Sequence, residues 1–375
     1  MFFRDIIGQE DIKKQLIKNV QENKIAHAQL FCGGEGVGKL PLAIAYARYI
    51  SCLHPSDKDA CGTCPNCIKF NNLAHPDLHF IFPVVKKKST KDIVSDDYLA
   101  EWRELIARNP YFNLQTWLEE MGAENQQAQI YVKESSEIIR KLSLKSSQGG
   151  YKIIIIWLPE KMNLECSNKL LKLLEEPAEQ TVFLLVSEEP DMLLTTILSR
   201  TQRINVKAID EKSLQETLVI QHGLQEQDAK HIAHRSEGNY LKAIESISLN
   251  EENKIFFELF ISLMRLSYQR KIKEMRLWSE KIAAMGREKQ KHFLGYCQRM
   301  IRENFIYNFH NRSITYLDNE EEAFSTRFAP FINERNVMEI MNELSEAQRH
   351  IEQNVNTRMV FFDFSLKMIV LLIQK

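Results

Sequence analysis

Three groups of residues in this 375-residue chain have the types and spacings that do chemistry. The first is Gly33-Gly34-Glu35-Gly36-Val37-Gly38-Lys39, which follows the apolar stretch 28–32 and opens the helix-like run LAIAYARYI. Glycines in that context let successive backbone N–H groups converge on phosphate oxygens, and a helix N-terminus adds positive partial charge. Lys39 would reach the terminal phosphates of a nucleotide. The same pattern asks for Ser or Thr next, to hold Mg²⁺, and position 40 is Leu. An NTPase of this kind also ends a neighbouring strand with acidic residues for Mg²⁺ and water activation. Here the strand-like IIIIWL ends in Trp157-Leu158, which read as core, and Glu160 is expected to fall out of register. Two separate losses of metal chemistry predict that ATP with Mg²⁺ is not hydrolysed by this chain. Lys39 and the loop amides, with Gly33, Gly36 and Gly38, could still bind nucleotide weakly.

The second group is Cys52, Cys61, Cys64 and Cys67, four thiols within 16 residues. Zn²⁺ takes four soft ligands in a tetrahedron, and CxxC spacing lets two thiolates grip one ion from a tight turn. Four Cys leave no open position, so the reading is a closed, structural zinc site. An iron–sulfur cluster is the rival, but the CxxxCP that follows such runs is absent. His54 and His75 lie nearby and are not required. Cys32, Cys166 and Cys297 are isolated and read as small buried apolar residues. The third group is Ser199-Arg200, just before a strand-like RINV. An Arg at a subunit edge can stabilise charge on a phosphoryl group held by a neighbour. On its own, a lone surface Arg is most often a solvated or salt-bridged side chain.

The elements that must position these groups alternate over the first two thirds of the chain. Residues 9–23 place Ile12, Leu16 and Val20 at helical spacing. Strands are expected at 28–32, 78–84, 153–158, 182–187 and 203–206, and the unbroken β-branched run at 153–156 suits a parallel sheet covered on both faces. Residues 85–128 read as a polar, irregular insertion with a Trp-containing helical piece around 98–121 and a solvated charge run, KKKSTKD, at 86–92. After about residue 208 the strands stop. Two or three short helices fill 210–250, and 253–375 read almost wholly as helix. The final run, TRMVFFDFSLKMIVLLIQK, is either a core helix or an oligomer face.

Apolar residues make up 44% and charged residues 26%, as in an ordinary globular protein. Lys and Arg number 49 against 50 acids, which argues against a wholly basic, DNA-coating protein. No run suits a membrane span, and the N-terminus, MFFRDIIGQED, does not read as a signal peptide. A cytoplasmic setting is expected, in which the seven Cys are thiols or metal ligands.

Taken together, FRDIIGQEDIKKQL, HAQLFCGGEGVGK, the four-Cys module after the loop helix, NKLLKLLEEPAEQTVFLLVS and TILSRTQRINV resemble the clamp-loader branch of AAA+ proteins, and within it the subunits of bacterial DNA polymerase III. NVNTRMVFFDFSLKMIVLL looks like the last collar helix of that family. The resemblance covers most of 1–84 and 130–250, covers 251–375 more loosely, and leaves out about 85–128. It implies an α/β RecA-like AAA+ domain over 1–207, a small helical lid over 208–250, and an all-α collar domain over 251–375. It also implies a stator role without ATP hydrolysis. Ser199-Arg200 match a Ser-Arg-Cys motif whose Arg serves the ATP of an adjacent subunit, with Thr201 in place of Cys. The lid pattern Gly-Ser-x-Arg corresponds to Gly238–Leu241, where Leu241 replaces a phosphate-sensing Arg. Implied partners are the ATPase motor subunits and a delta subunit in a hetero-pentamer, and through it the sliding clamp and primer–template DNA. Two rivals are an active ATPase motor of the same assembly and a zinc-dependent nucleic-acid-binding module. The second is weakened by the single Lys58 between Cys52 and Cys67.

Overall fold

The computed structural model describes every residue except 87–92, 125, 144–145, 147–149, 310–316, 318 and 375, and the side chains of 249 and 250. All of the 86–92 charge run beyond Lys86 therefore lies outside the described residues. By contacts the chain divides into two compact units, Met1–Ser246 and Ile247–Lys375.

The first unit is built on five parallel strands: β1 (Ala28–Cys32), β2 (Leu78–Ile81), β3 (Lys152–Trp157), β4 (Thr181–Ser187) and β5 (Gln202–Asn205). Their order across the sheet is β2-β3-β4-β1-β5. Four of them fall within a residue of the expected strand at each end, while β2 stops three residues before the expected end at 84. β1, β3 and β4 are buried at every position, so they carry continuous apolar runs, as strands covered on both faces must. The covering helices are α1 (Glu10–Gln21), α2 (Lys39–Ser51), α3 (Pro65–Asn71), α4 (Leu99–Arg108), α5 (Leu114–Glu120), α6 (Val132–Ser143), α7 (Leu164–Glu175) and the short α8 (Thr195–Leu198). Two cores result. One runs through Phe31, Ile44, Tyr46, Ile153, Ile155 and Leu184; the other, on the opposite face, through Leu30, Ile154, Ile156, Leu170 and Leu185. The alternation of Ile153 through Ile156 between the two follows from the two-residue period of a strand. α9 (Glu211–His222) and α10 (Glu226–Arg235) complete the unit with the start of α11 (Tyr240–Gln269).

The helical piece expected around 98–121 in the insertion is two helices, α4 and α5. They differ from the polar segment expected from composition in that Trp102 and Trp117 have no exposed surface. Trp102 stacks on Phe82 at 4.1 Å between ring centroids and meets Trp117 edge-on at 5.1 Å. Trp117 Nε1 donates to the Pro83 carbonyl at 2.8 Å. Average polarity hid this because a few large rings, widely spaced, carry most of the apolar area.

Among its described residues the regular elements of the second unit are helices: the remainder of α11, then α12 (Ile272–Ala283), α13 (Arg287–Tyr307), α14 (Asn319–Phe328), α15 (Val337–Glu352) and α16 (Thr357–Leu371). Its core joins Phe260, Trp278, Phe293, Ile340, Phe361 and Met368. Of the two expected readings of α16, core placement holds for Phe361, Phe364 and Met368, while Met359 and Val370 are exposed. Among the described residues no helix is long and apolar enough to cross a membrane.

Candidate nucleotide site and cysteine cluster

Open parallel sheets place their sites beyond the carboxyl ends of the strands. The glycine loop leaves β1 there, between the ends of β4 and β5, and delivers Lys39 as the first residue of α2. Gly36 and Gly38 have φ of 70° and 90°, a backbone region that residues with a Cβ avoid. α2 begins without a side-chain cap, so no N-cap side chain occupies its first N–H groups.

Lys39 is only 4% exposed. Its Nζ donates to the Gly34 carbonyl and lies 3.6 Å from Glu188 Oε1, just past the end of β4. Burial lowers the Lys39 pKa, against the raising effect of Glu188 and then Glu160. Burial likewise raises that of Glu188, against the ammonium. The cation that would grip a phosphate thus already has a carbonyl and a carboxylate. Leu40 is buried and offers no oxygen to a metal. Trp157 and Leu158 are both core, as expected. Glu160, expected out of register, comes near enough to act on Lys39, but its Oε1 accepts the backbone N–H of Glu188 at 2.8 Å and of Glu189 at 3.2 Å. Glu188 was missed in the sequence; the only signal was an acid directly after a buried strand.

The segment Gly238–Leu241 packs on the same loop. Tyr240 N donates to the Gly36 carbonyl at 3.1 Å. Asn239 Oδ1 accepts from the N–H of Leu241 and Lys242, and a Cβ on Gly36 would fall 1.9 Å from that oxygen.

Cys52, Cys61, Cys64 and Cys67 converge, with their sulfurs all within 4.8 Å of one another. Cys61 and Cys67 are 3.9 Å apart. Metal–sulfur arms of about 2.3 Å give tetrahedral edges of about 3.8 Å, so these donors fit one metal ion. The local fold supplies the turns. Cys61 N–H donates to Cys52 Sγ, Cys64 N–H to Cys61 Sγ and Cys67 N–H to Cys64 Sγ, at 3.3–3.4 Å. The backbone donors favour the thiolate at Cys61 and lower its pKa, while burial raises that of Cys52. Arg48 ties the cluster to α2: its Nη2 donates to the Cys67 carbonyl at 2.7 Å, and its guanidinium lies over the Phe2 ring.

Arg200 lies between α8 and the edge strand β5, remote in sequence from both groups. It is partly exposed. Its Nη2 pairs with Glu175 Oε1 at 2.5 Å, and its Nη1 donates to the Thr196 carbonyl at 2.9 Å and to Ser199 Oγ at 3.4 Å.

A parallel sheet in this order, with a glycine loop leaving β1 and helices on both faces, is the RecA-like fold of AAA+ proteins, here with the loop's metal-holding residues replaced. Residues 8–210 match the family model described as DNA polymerase III, delta subunit, and the chain belongs to that family. It is 28% identical over 267 residues to the DNA polymerase III subunit delta' of Bacillus subtilis, covering 70% of this chain and 66% of that one. It is 27% identical over 216 residues to subunit tau/gamma of Haemophilus influenzae, covering 58% of this chain and 25% of that one. The chain thus spans a quarter of one relative and just under two thirds of the other. A gamma subunit-related protein from Thermotoga maritima aligns over 95% of this chain and 99% of that one with a TM-score of 0.37 at 14% identity, a likeness too slight to add to what the strand order shows.

Proposed function

We propose that this chain is a stator-like, delta-prime type subunit of a DNA polymerase III clamp loader. It does not hydrolyse ATP itself. It presents Arg200, steadied by Ser199, to ATP held by the adjacent motor subunit, and so helps the assembly open a sliding clamp and place it on primer–template DNA. Motor subunits and a delta subunit complete the pentamer in the cytoplasm. In this reading 1–207 is the RecA-like domain, 208–250 a lid and 251–375 the collar domain. The four-Cys site holds a structural zinc, since four thiolates in a closed tetrahedron suit that ion and leave no position for substrate. The observation that carries the proposal is the state of Lys39, held by Gly34 and Glu188 beside a Leu where a metal-binding hydroxyl belongs.

The test is reconstitution with the motor subunits and measurement of clamp- and DNA-stimulated ATP hydrolysis. Arg200→Ala is expected to lower it by at least about tenfold at the adjoining site with assembly intact. Unchanged hydrolysis would remove Arg200 from the mechanism. A second reading, an active motor subunit, is favoured by Glu160, an acid near the phosphate-loop lysine. It requires turnover by the isolated chain.

A further inference from the structure

A cavity of about 790 Å³ lies beside the phosphate loop, within the range that small ligands occupy. Its walls include Ile7, Tyr111, His222 and Tyr240, but no residue of 33–39. Two of those wall residues also touch the loop on their other side. The Tyr111 hydroxyl lies 3.0 Å from where a Cβ on Gly38 would stand, and Tyr240 N–H is bonded to Gly36. The two rings pack together at 4.9 Å between centroids. The Tyr111 hydroxyl accepts the backbone N–H of Ile7 at 3.0 Å. Tyr111 thus puts a planar ring against an aromatic neighbour and an acceptor oxygen against a main-chain donor, as a nucleobase would.

Tyr111 belongs to the insertion, in the link between α4 and α5, and the sheet holds that link in place. Phe112, its neighbour, packs on Trp157 at 5.2 Å, and Trp157 also meets Trp102 at 5.2 Å. Trp157 stands at the end of β3 where an ATPase would carry its metal-holding acid. The substitution that removes the acid therefore also supplies the ring on which the insertion rests.

We propose that Tyr111 is a built-in stopper that separates a nucleotide-sized cavity from its phosphate loop, so that the native chain excludes nucleoside triphosphate rather than binding it idly. This rests on reading the loop as a former triphosphate site, and it gives the insertion a role.

The test is calorimetric titration of the full chain with ATP, with and without Mg²⁺. The native chain is expected to bind with a Kd of about 1 mM or weaker. Tyr111→Ala should open the wall and tighten binding by at least about tenfold, and adding Lys39→Ala should remove the gain. Tyr111→Thr, shorter yet β-branched, is made alongside in case Tyr111→Ala does not fold, with folding of each judged by its melting curve. Native binding as tight as that of the folded variant overturns the stopper, and so does a folded variant that gains nothing. Tight binding by the native chain without phosphate release overturns the stopper alone. Lys39-dependent phosphate release by the native chain overturns the stator reading as well.

Discussion

At the scale of single residues, the buried ionisable groups show how far context moves chemistry. Lys39 is drawn towards neutrality by burial and kept charged by Glu188. Glu134, on α6, has its carboxyl pushed up to about 7, mainly by burial; Ser95 N–H and Oγ both donate to its Oε2, at 2.8 and 3.1 Å. Its native form therefore holds a proton between about pH 4.5 and pH 7 that the unfolded chain releases. Stability from this group is full below that window and falls as pH rises through it, by at most roughly 3 kcal/mol. His79, pushed down to about 4 by burial, acts in the opposite sense below its ordinary value near 6.5. The two are separated by comparing Glu134→Gln with the native chain in denaturant melts from pH 5 to pH 8. The native chain should lose stability relative to the variant as pH rises, and parallel curves would remove Glu134 as the source.

At the scale of elements, two small substructures carry weight beyond their length. The cysteine module is pinned to α2 by Arg48 and built from backbone N–H donors aimed at sulfur. Metal analysis is expected to find about one zinc per chain, and Cys64→Ser should lose it and melt at lower temperature. A full metal complement in Cys64→Ser would show that Cys64 is not a ligand. The insertion is the other case. Trp117 touches Phe82, Tyr98 and Trp102 and has no exposed surface. Replacement by Ala leaves a large void and should cost about 3–5 kcal/mol in unfolding free energy. A loss below about 1 kcal/mol would mean that the insertion is not part of the core.

At the scale of the whole molecule, 49 basic and 50 acidic residues leave no general attraction for DNA. In the proposed reading, the chain gives an assembly its shape and the Arg200 guanidinium. The purified chain alone is therefore expected to release no phosphate from ATP above background, with Lys39→Ala unchanged, in a steady-state assay with and without primed DNA. Turnover that disappears with Lys39 would make it a motor subunit.

The strands, the loop and the spacing of the four Cys could be read from the sequence because they depend on local pattern. A run such as Ile153–Ile156 has few other folds open to it, and CxxC is itself a turn geometry. That Leu40 and Trp157, which lack the atoms that a metal needs, stand after the loop and at the end of β3 was equally legible. The partners that these residues acquired were not legible. That Glu188 faces Lys39, that Glu160 caps the backbone after β4, and that Tyr111 reaches Gly38 from more than 70 residues away are consequences of which strand ends lie side by side. Periodicity determines which face of an element is apolar. Only packing, through shapes that meet across long stretches of chain, determines what that face meets.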